Sequence, residues 1–208
     1  MPRLPSGLLP HRAPRRLLDP PVRALARLGV TPNGVTTIGF LGNVLAGALA
    51  ASGALRWAGA VLLCFSALDL LDGALARATG RVSAFGAVYD ATLDRLSEAA
   101  VLCGLSWHFR HDEVVSLVII AALLGSIGVS YVRARAETLG VQLREGLFTR
   151  AERVVLLALA LLAGLAVPAL WVLAVLTNLT ALQRLWLAWR ALGNRRSNTG
   201  GDTGEVAP

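Results

Sequence analysis

Four aspartates stand at spacings that can build one site: Asp69 and Asp72 are three residues apart, and Asp90 and Asp94 are four apart. Either spacing puts its pair on one face of a helix. Both pairs lie in apolar stretches, where an aspartate at a helix centre costs roughly 2.5–3.5 kcal/mol on insertion scales, so intramembrane carboxylates are functional by default. If the two helices face each other, four carboxylates gather, and like-charge repulsion forbids this unless cations sit among them. Oxygen-only ligands select a hard ion. Mg²⁺, with Mn²⁺ as its substitute, is usually held by a few carboxylates plus substrate phosphates. One or two such ions can bridge a pyrophosphate in an in-line displacement.

The neighbouring residues suit that chemistry. Gly73, directly after Asp72, lets backbone or ligand come close, and Gly86, one turn before Asp90, lets the third span approach the second. Arg77, five residues past Asp72, can reach a diphosphate with a forked donor. Two other readings compete. The aspartates could pair with Arg77, Arg81 and Arg95 and merely hold a bundle together. Alternatively they could mark the pathway of a divalent-cation transporter, which would spread carboxylates through the bilayer and leave the Gly73, Arg77 and Gly86 spacing unexplained.

The elements that must position these residues are membrane helices. The chain has 208 residues, 55% of them hydrophobic and 16% charged, with mean hydropathy +0.60, too apolar for an ordinary soluble domain. A span needs about 20 apolar residues, and six stretches qualify: 33–52, 57–77, 84–108, 113–134, 150–166 and 168–189. The expected fold is all-α. Six transmembrane helices over 31–192 follow an N-terminal segment, 1–30, and precede a disordered tail, 193–208, rich in Gly, Ser, Thr and Asn. Within the first segment, Val22, Leu25 and Leu28 share a face opposite Arg23 and Arg27, as in a short amphipathic helix at the interface. The first twenty residues lack the continuous apolar run of a secretory signal. Cys64 and Cys103 sit in apolar stretches as small hydrophobes.

Every basic side chain besides histidine is Arg, and the net charge is +7. Such a charge suits nucleic acid or an anionic membrane surface, and the apolar runs decide for membrane lipids. With both termini in the cytosol, the outer loops hold only Arg56 and Arg110. The cytosolic segments hold Arg3 to Arg27, Arg77 and Arg81, Arg133 to Arg153, and Arg184 to Arg196. That asymmetry sets the orientation. It brings both aspartate pairs and the arginine-rich connection between the fourth and fifth spans to the cytosolic side.

The segment DLLDGALARATGRVSAFGAVYDATLD, Asp69 to Asp94, resembles the signature of the CDP-alcohol phosphotransferase family, DxxDGxxAR, eight residues, then GxxxDxxxD. Asp69, Asp72, Gly73, Ala76, Arg77, Gly86, Asp90 and Asp94 all match. The resemblance implies transfer of a lipid phosphate from a CDP-linked donor such as CDP-diacylglycerol to an alcohol, with release of CMP. It implies that Asp69, Asp72 and Asp90 bind divalent metal and the CDP diphosphate. Asp94 would be the general base that takes the incoming hydroxyl's proton and could also touch a metal. It further implies a homodimer, which the arginine asymmetry would place in the cytoplasmic membrane with its active site facing the cytosol.

Two pockets would complete such a site. Thr31, Pro32 and Asn33 resemble the TPN that family members often carry, and either contact the nucleotide or simply start a helix. Ser83 likewise faces the cytidine or starts the third span. On the acceptor side, Arg133, Arg135, Arg150 and Arg153 flank one connection, where they would hold an alcohol phosphate by bidentate hydrogen bonds or only touch lipid headgroups. YVRARAE (Tyr131 to Glu137), the later RAER and DATLDRLSE are similar to the branch of the family whose acceptor is inositol 1-phosphate. Relatives there often carry Lys at the position of Arg133. Synthases acting on glycerol 3-phosphate or another alcohol are the nearest alternative.

Overall fold

The structure, a computed structural model, describes residues 15–143, 146 and 148–199, with the side chains of 15–18 and 194–199 excluded. Expectations for Arg3, Arg12, Arg144 and residues 200–208 lie outside the described residues, as do those for the side chains of Arg15, Arg16, Arg195 and Arg196. Every described element is an α-helix. In chain order they are α1 (Arg15–Arg27), α2 (Pro32–Ala51), α3 (Leu55–Ser66), α4 (Asp69–Ala78), α5 (Ala84–His108), α6 (Glu113–Thr138), α7 (Arg150–Ala163) and α8 (Ala166–Thr199).

Among the described residues, four segments are long and apolar enough to cross a membrane: Pro32–Ala51, Leu55–Ala78, Glu113–Thr138 and Ala166–Gly193. The protein is a multi-pass membrane protein on that ground. Two of the six expected spans fall short for physical reasons. α5 has the length but carries Asp90, Asp94, Arg95 and Glu98. α7 has only 14 residues, roughly 21 Å of helix against a hydrocarbon core of about 30 Å.

The second expected span is not one continuous helix. At Ala67 and Leu68 the chain tightens through i→i−3 bonds, Leu68 N–H to Phe65 O at 3.1 Å and Leu71 N–H to Leu68 O at 2.8 Å. This interruption starts α4 at Asp69 and puts both Asp69 and Asp72 in its first turn, where the positive end of the helix dipole favours carboxylates.

α2 organises the aspartate half of the molecule. Its buried positions Val35, Gly39, Gly42, Asn43, Ala46, Gly47 and Ala50 repeat at helical spacing, while Ile38, Leu41 and Leu45 are exposed to the surroundings. α5 crosses this stripe so closely that a Cβ built on Gly104 would stand 2.0 Å from the Gly47 carbonyl oxygen. α4 also packs on α2, and the other principal pairs are α2 with α3, α3 with α7, and α6 with α8. The expected approach of the third span to the second is therefore corrected. α4 and α5 meet across α2, and Gly86 faces Asn33 of α2 at 3.4 Å from its built Cβ. Small residues decided this, because the Gly47–Gly104 crossing lets two backbones touch where α4 offers no equivalent.

Both ends differ from expectation. α1 begins before Pro20 and Pro21, and its buried Val22, with Leu25 beside it, packs on Leu75 of α4 and Val35 of α2, whereas Leu28, expected on the same face, lies beyond the helix end and is 77% exposed. Arg23 and Arg27 remain exposed. Of the tail expected to be disordered from 193, residues up to Thr199 belong to α8. Ala191, Leu192, Arg195 and Arg196 are good helix formers, and one Gly costs only about 1 kcal/mol in a helix already propagating.

Candidate active site

Asp72 is the most deeply set of the four signature aspartates, 6% exposed. Thr36 of α2 donates to its Oδ2 at 2.9 Å, and the Gly73 N–H donates to its Oδ1. Asp69 and Asp94 share one partner: the Arg150 guanidinium donates to Asp69 Oδ2 and stands 3.1 Å from Asp94 Oδ1. Asp90 lies within electrostatic reach of Asp69, Arg150 and Arg95, and Asp94 within reach of the other three aspartates. All four face a common region. The alternative pairing with Arg77, Arg81 or Arg95 does not occur among the described ion pairs, whose aspartate partner is Arg150, 81 residues beyond Asp69.

A groove of about 310 Å³ opens beside Asp72 and Asp90. Pro32, Asn33, Gly73, Arg77 and Ser83 line it, together with Thr36 and Arg81. Five of the six donor-side positions outside the aspartates thus share one surface. Thr31 is the exception: its Oγ1 accepts the Gly34 N–H at 3.1 Å and caps α2. Ser83 starts α5, its Oγ accepting the Gly86 N–H at 2.9 Å, and the residue also lines the groove.

The four acceptor-side arginines do not form one cradle. Arg133 pairs with Glu137 at 2.9 Å on the exposed side of α6. Arg135 lines a separate apolar groove with Tyr131 and Trp189. Two residues apart on a helix means roughly 200° around its axis, so Arg133 and Arg135 cannot face one point. Arg150 is engaged by the aspartates. Arg153, 3% exposed, donates twice to the buried Glu98, at 2.7 and 2.8 Å.

Two residues passed over in the sequence reading belong to this region. Glu98 follows Asp94 by four residues, so the face carrying Asp90 and Asp94 continues to it. Arg184 is 5% exposed, donates to the Val129 carbonyl at 2.9 Å and feels the charges of Arg133, Arg153 and Glu137. Its position inside an apolar stretch was the available signal, since intramembrane guanidinium groups are costly. Arg184 thus lies within electrostatic reach of Arg133 and Arg153, whereas Arg135 and Arg150 are engaged elsewhere.

The donor set fits a hard divalent cation: four carboxylates, no nitrogen or sulfur, on two helices facing one region. Their spacing is open, however. Among the described residues no three acidic, His or Cys side chains stand close enough to cage an ion, and the Arg150 guanidinium lies between Asp69 and Asp94.

Fold and site together define a polytopic membrane protein with a carboxylate centre beside an arginine-lined groove. The chain matches the CDP-alcohol phosphatidyltransferase family over residues 29–190 and belongs to it. It is similar to the phosphatidylinositol phosphate synthase of Mycobacteroides abscessus, 40% identical over 164 residues, covering 76% of this chain and 74% of that protein. It is also similar to the archaetidylinositol phosphate synthase of Pyrococcus horikoshii, 44% identical over 141 residues, covering 66% and 72%. The crystal structure of Mycobacterium tuberculosis phosphatidylinositol phosphate synthase with CDP-DAG bound superposes with a TM-score of 0.78 at 34% identity, over 84% of this chain and 94% of that one. The same enzyme in complex with manganese and citrate gives 0.77 at 34% identity, over 82% and 88%.

Proposed function

We propose that this protein is a phosphatidylinositol phosphate synthase, which moves the phosphatidyl group of CDP-diacylglycerol to inositol 1-phosphate and releases CMP. The observation that carries the reading is the complete aspartate signature placed between two different surfaces. One is the groove of Asn33, Arg77 and Ser83, shaped for a nucleotide diphosphate. The other is the positively charged side where Arg184 lies within electrostatic reach of Arg133, held in place by the Glu98–Arg153 pair and suited to an anionic acceptor. Relatives named for inositol phosphate lipids support the choice of acceptor.

In this mechanism Asp94 accepts the proton of the acceptor hydroxyl as its oxygen attacks the lipid-bearing phosphorus. The bond from that phosphorus to the CMP oxygen breaks, and CMP leaves with the bonding electrons. A divalent cation held by Asp69, Asp72, Asp90 and Asp94, Mg²⁺ or Mn²⁺ and one or two in number, supplies charge neutralisation for the diphosphate. Thr36 holds Asp72 in its orientation, and Arg77 offers a forked donor to the diphosphate. The lipid chains lie against the exposed apolar surface, so the nucleotide chemistry sits at the membrane face.

We further propose that α5 and α7 bring the four spans to six, with both termini and the site in the cytosol, in a homodimer of the cytoplasmic membrane. The arginine asymmetry supports this orientation. Purified protein, given CDP-diacylglycerol, Mg²⁺ and labelled inositol 1-phosphate, should release CMP and form a labelled phosphorylated lipid. Turnover with glycerol 3-phosphate and none with inositol 1-phosphate would overturn the acceptor. An ether-linked CDP donor, run in parallel, tests the archaeal-type alternative raised by the Pyrococcus relative.

A further inference from the structure

Two ion-pair rungs join α5 to α7. Asp94 and Glu98 lie four apart on α5, Arg150 and Arg153 three apart on α7, and the pairs are in register: Asp94 with Arg150, Glu98 with Arg153. The rungs differ in what they commit. Arg153 is buried, with two nitrogens on the two oxygens of one carboxylate, and such a fork is fixed by its geometry. Arg150 is divided between carboxylates on two helices, its side chain is 24% exposed, and its Nε is buried without a partner. One side chain is anchored and its neighbour is strung across the site.

The oxygens that Arg150 occupies are those the proposed function gives to a divalent cation. Mg²⁺ approaches a carboxylate oxygen to about 2.0–2.1 Å, and an oxygen lone pair given to a guanidinium is not available to the ion. Withdrawal of Arg150 alone would leave Asp69 and Asp94 as like charges facing each other in a poorly hydrated region, which is strongly unfavourable. A cation arriving as the guanidinium leaves avoids that cost. Arg150 also feels the charge of Glu98 and lines one cavity with Glu98 and Arg153, so the second rung lies beside it.

We infer that Arg150 and the divalent cation exchange on Asp69 and Asp94: ion binding displaces the guanidinium, which turns toward the phosphate of the acceptor. The inference rests on the metal site of the proposed function and adds to it an internal counter-ion that couples two ligands. Cation and acceptor phosphate then strengthen each other's binding, and the coupling is reciprocal.

Mn²⁺ binding to purified protein without lipid donor or acceptor, read from the electron paramagnetic resonance signal of the free ion, tests this directly. Arg150→Gln should bind Mn²⁺ roughly tenfold more tightly than wild type, an ordinary size for site coupling, with Arg150→Lys between them. In wild-type protein Mn²⁺ should raise modification of Arg150 by phenylglyoxal, measured by peptide mass spectrometry, while buried Arg153 stays unmodified. This second readout decides the matter if Arg150→Gln does not fold. Unchanged or weaker Mn²⁺ affinity in folded Arg150→Gln, or labelling of Arg150 indifferent to Mn²⁺, overturns the exchange. Asp90→Asn separates the two levels. If it abolishes Mn²⁺ binding while the Arg150 readouts do not move, only the exchange fails. If wild type binds no Mn²⁺, or Asp90→Asn binds it as well, the metal site fails and the exchange with it.

Discussion

Glu98 and Arg153 meet through two hydrogen bonds, 2.7 and 2.8 Å long, between side chains 55 residues apart in sequence. This buried pair lies one helical turn from Asp94 and ties α5 to α7 next to the proposed chemistry. The sequence suggested that Arg153 binds the acceptor phosphate directly. Its burial and its bidentate partner make it a positioning residue for that side of the site.

Removing one member should therefore be expressed first as instability. Glu98→Ala or Arg153→Ala is expected to lose about 3–5 kcal/mol, the usual cost of orphaning a buried charge. Thermal unfolding in detergent measures it. The double replacement Glu98→Leu with Arg153→Met should recover a large part, and losses that simply add would count against a direct pair.

The α2–α5 crossing predicts a second loss. A Cβ on Gly104 would stand 2.0 Å from the Gly47 oxygen, and backbone cannot step aside as a flexible side chain can. Gly104→Ala is expected to destabilise by about 1–3 kcal/mol or more. Gly193→Ala, where nothing lies within 4 Å, should be neutral or gain up to about 1 kcal/mol of helix propensity. Equal unfolding temperatures for the two variants would refute the close approach.

Thr36 is expected to act on catalysis through Asp72. Thr36→Val removes a hydrogen bond to a charged acceptor, worth about 1.5–3 kcal/mol, and should lower kcat/KM at least tenfold. Thr36→Ser should retain most activity. Steady-state kinetics with CDP-diacylglycerol varied checks both, and a serine variant as poor as valine would point to packing instead.

The arginines separate by role. Arg184→Gln is expected to raise KM for inositol 1-phosphate while leaving KM for the CDP donor nearly unchanged. Arg135→Gln, on the apolar groove beside Trp189, should alter neither by more than about twofold, as expected for a surface charge. A matched rise in both constants for Arg184→Gln would argue against an acceptor role.

How much of this was legible in the sequence follows from which interactions are local. Asp69 with Asp72, and Asp90 with Asp94, share faces because helical periodicity relates residues three and four apart, and membrane burial makes every such carboxylate conspicuous. That Asn33, Gly73, Arg77 and Ser83 would line one groove was partly readable, since Asn33 and Ser83 sit at helix starts and Arg77 at a helix end, where capping chemistry is local. The all-helical membrane class followed from the apolar runs alone.

What the tertiary structure decided is partnership. No spacing rule tells Arg150 that it will lie between Asp69 and Asp94, or Arg153 that Glu98 will take it. Those pairings depend on glycine-lined crossings that place α2, rather than α4, against α5, and on which helix brings α7 alongside. Counting arginines near one connection treated them as a set. Helix rotation then dispersed them, sending Arg135 to another face and bringing in Arg184 from a helix begun more than thirty residues later than α6. Periodicity along one helix is written in the order of residues, whereas the meeting of two helices is settled only when their surfaces fit.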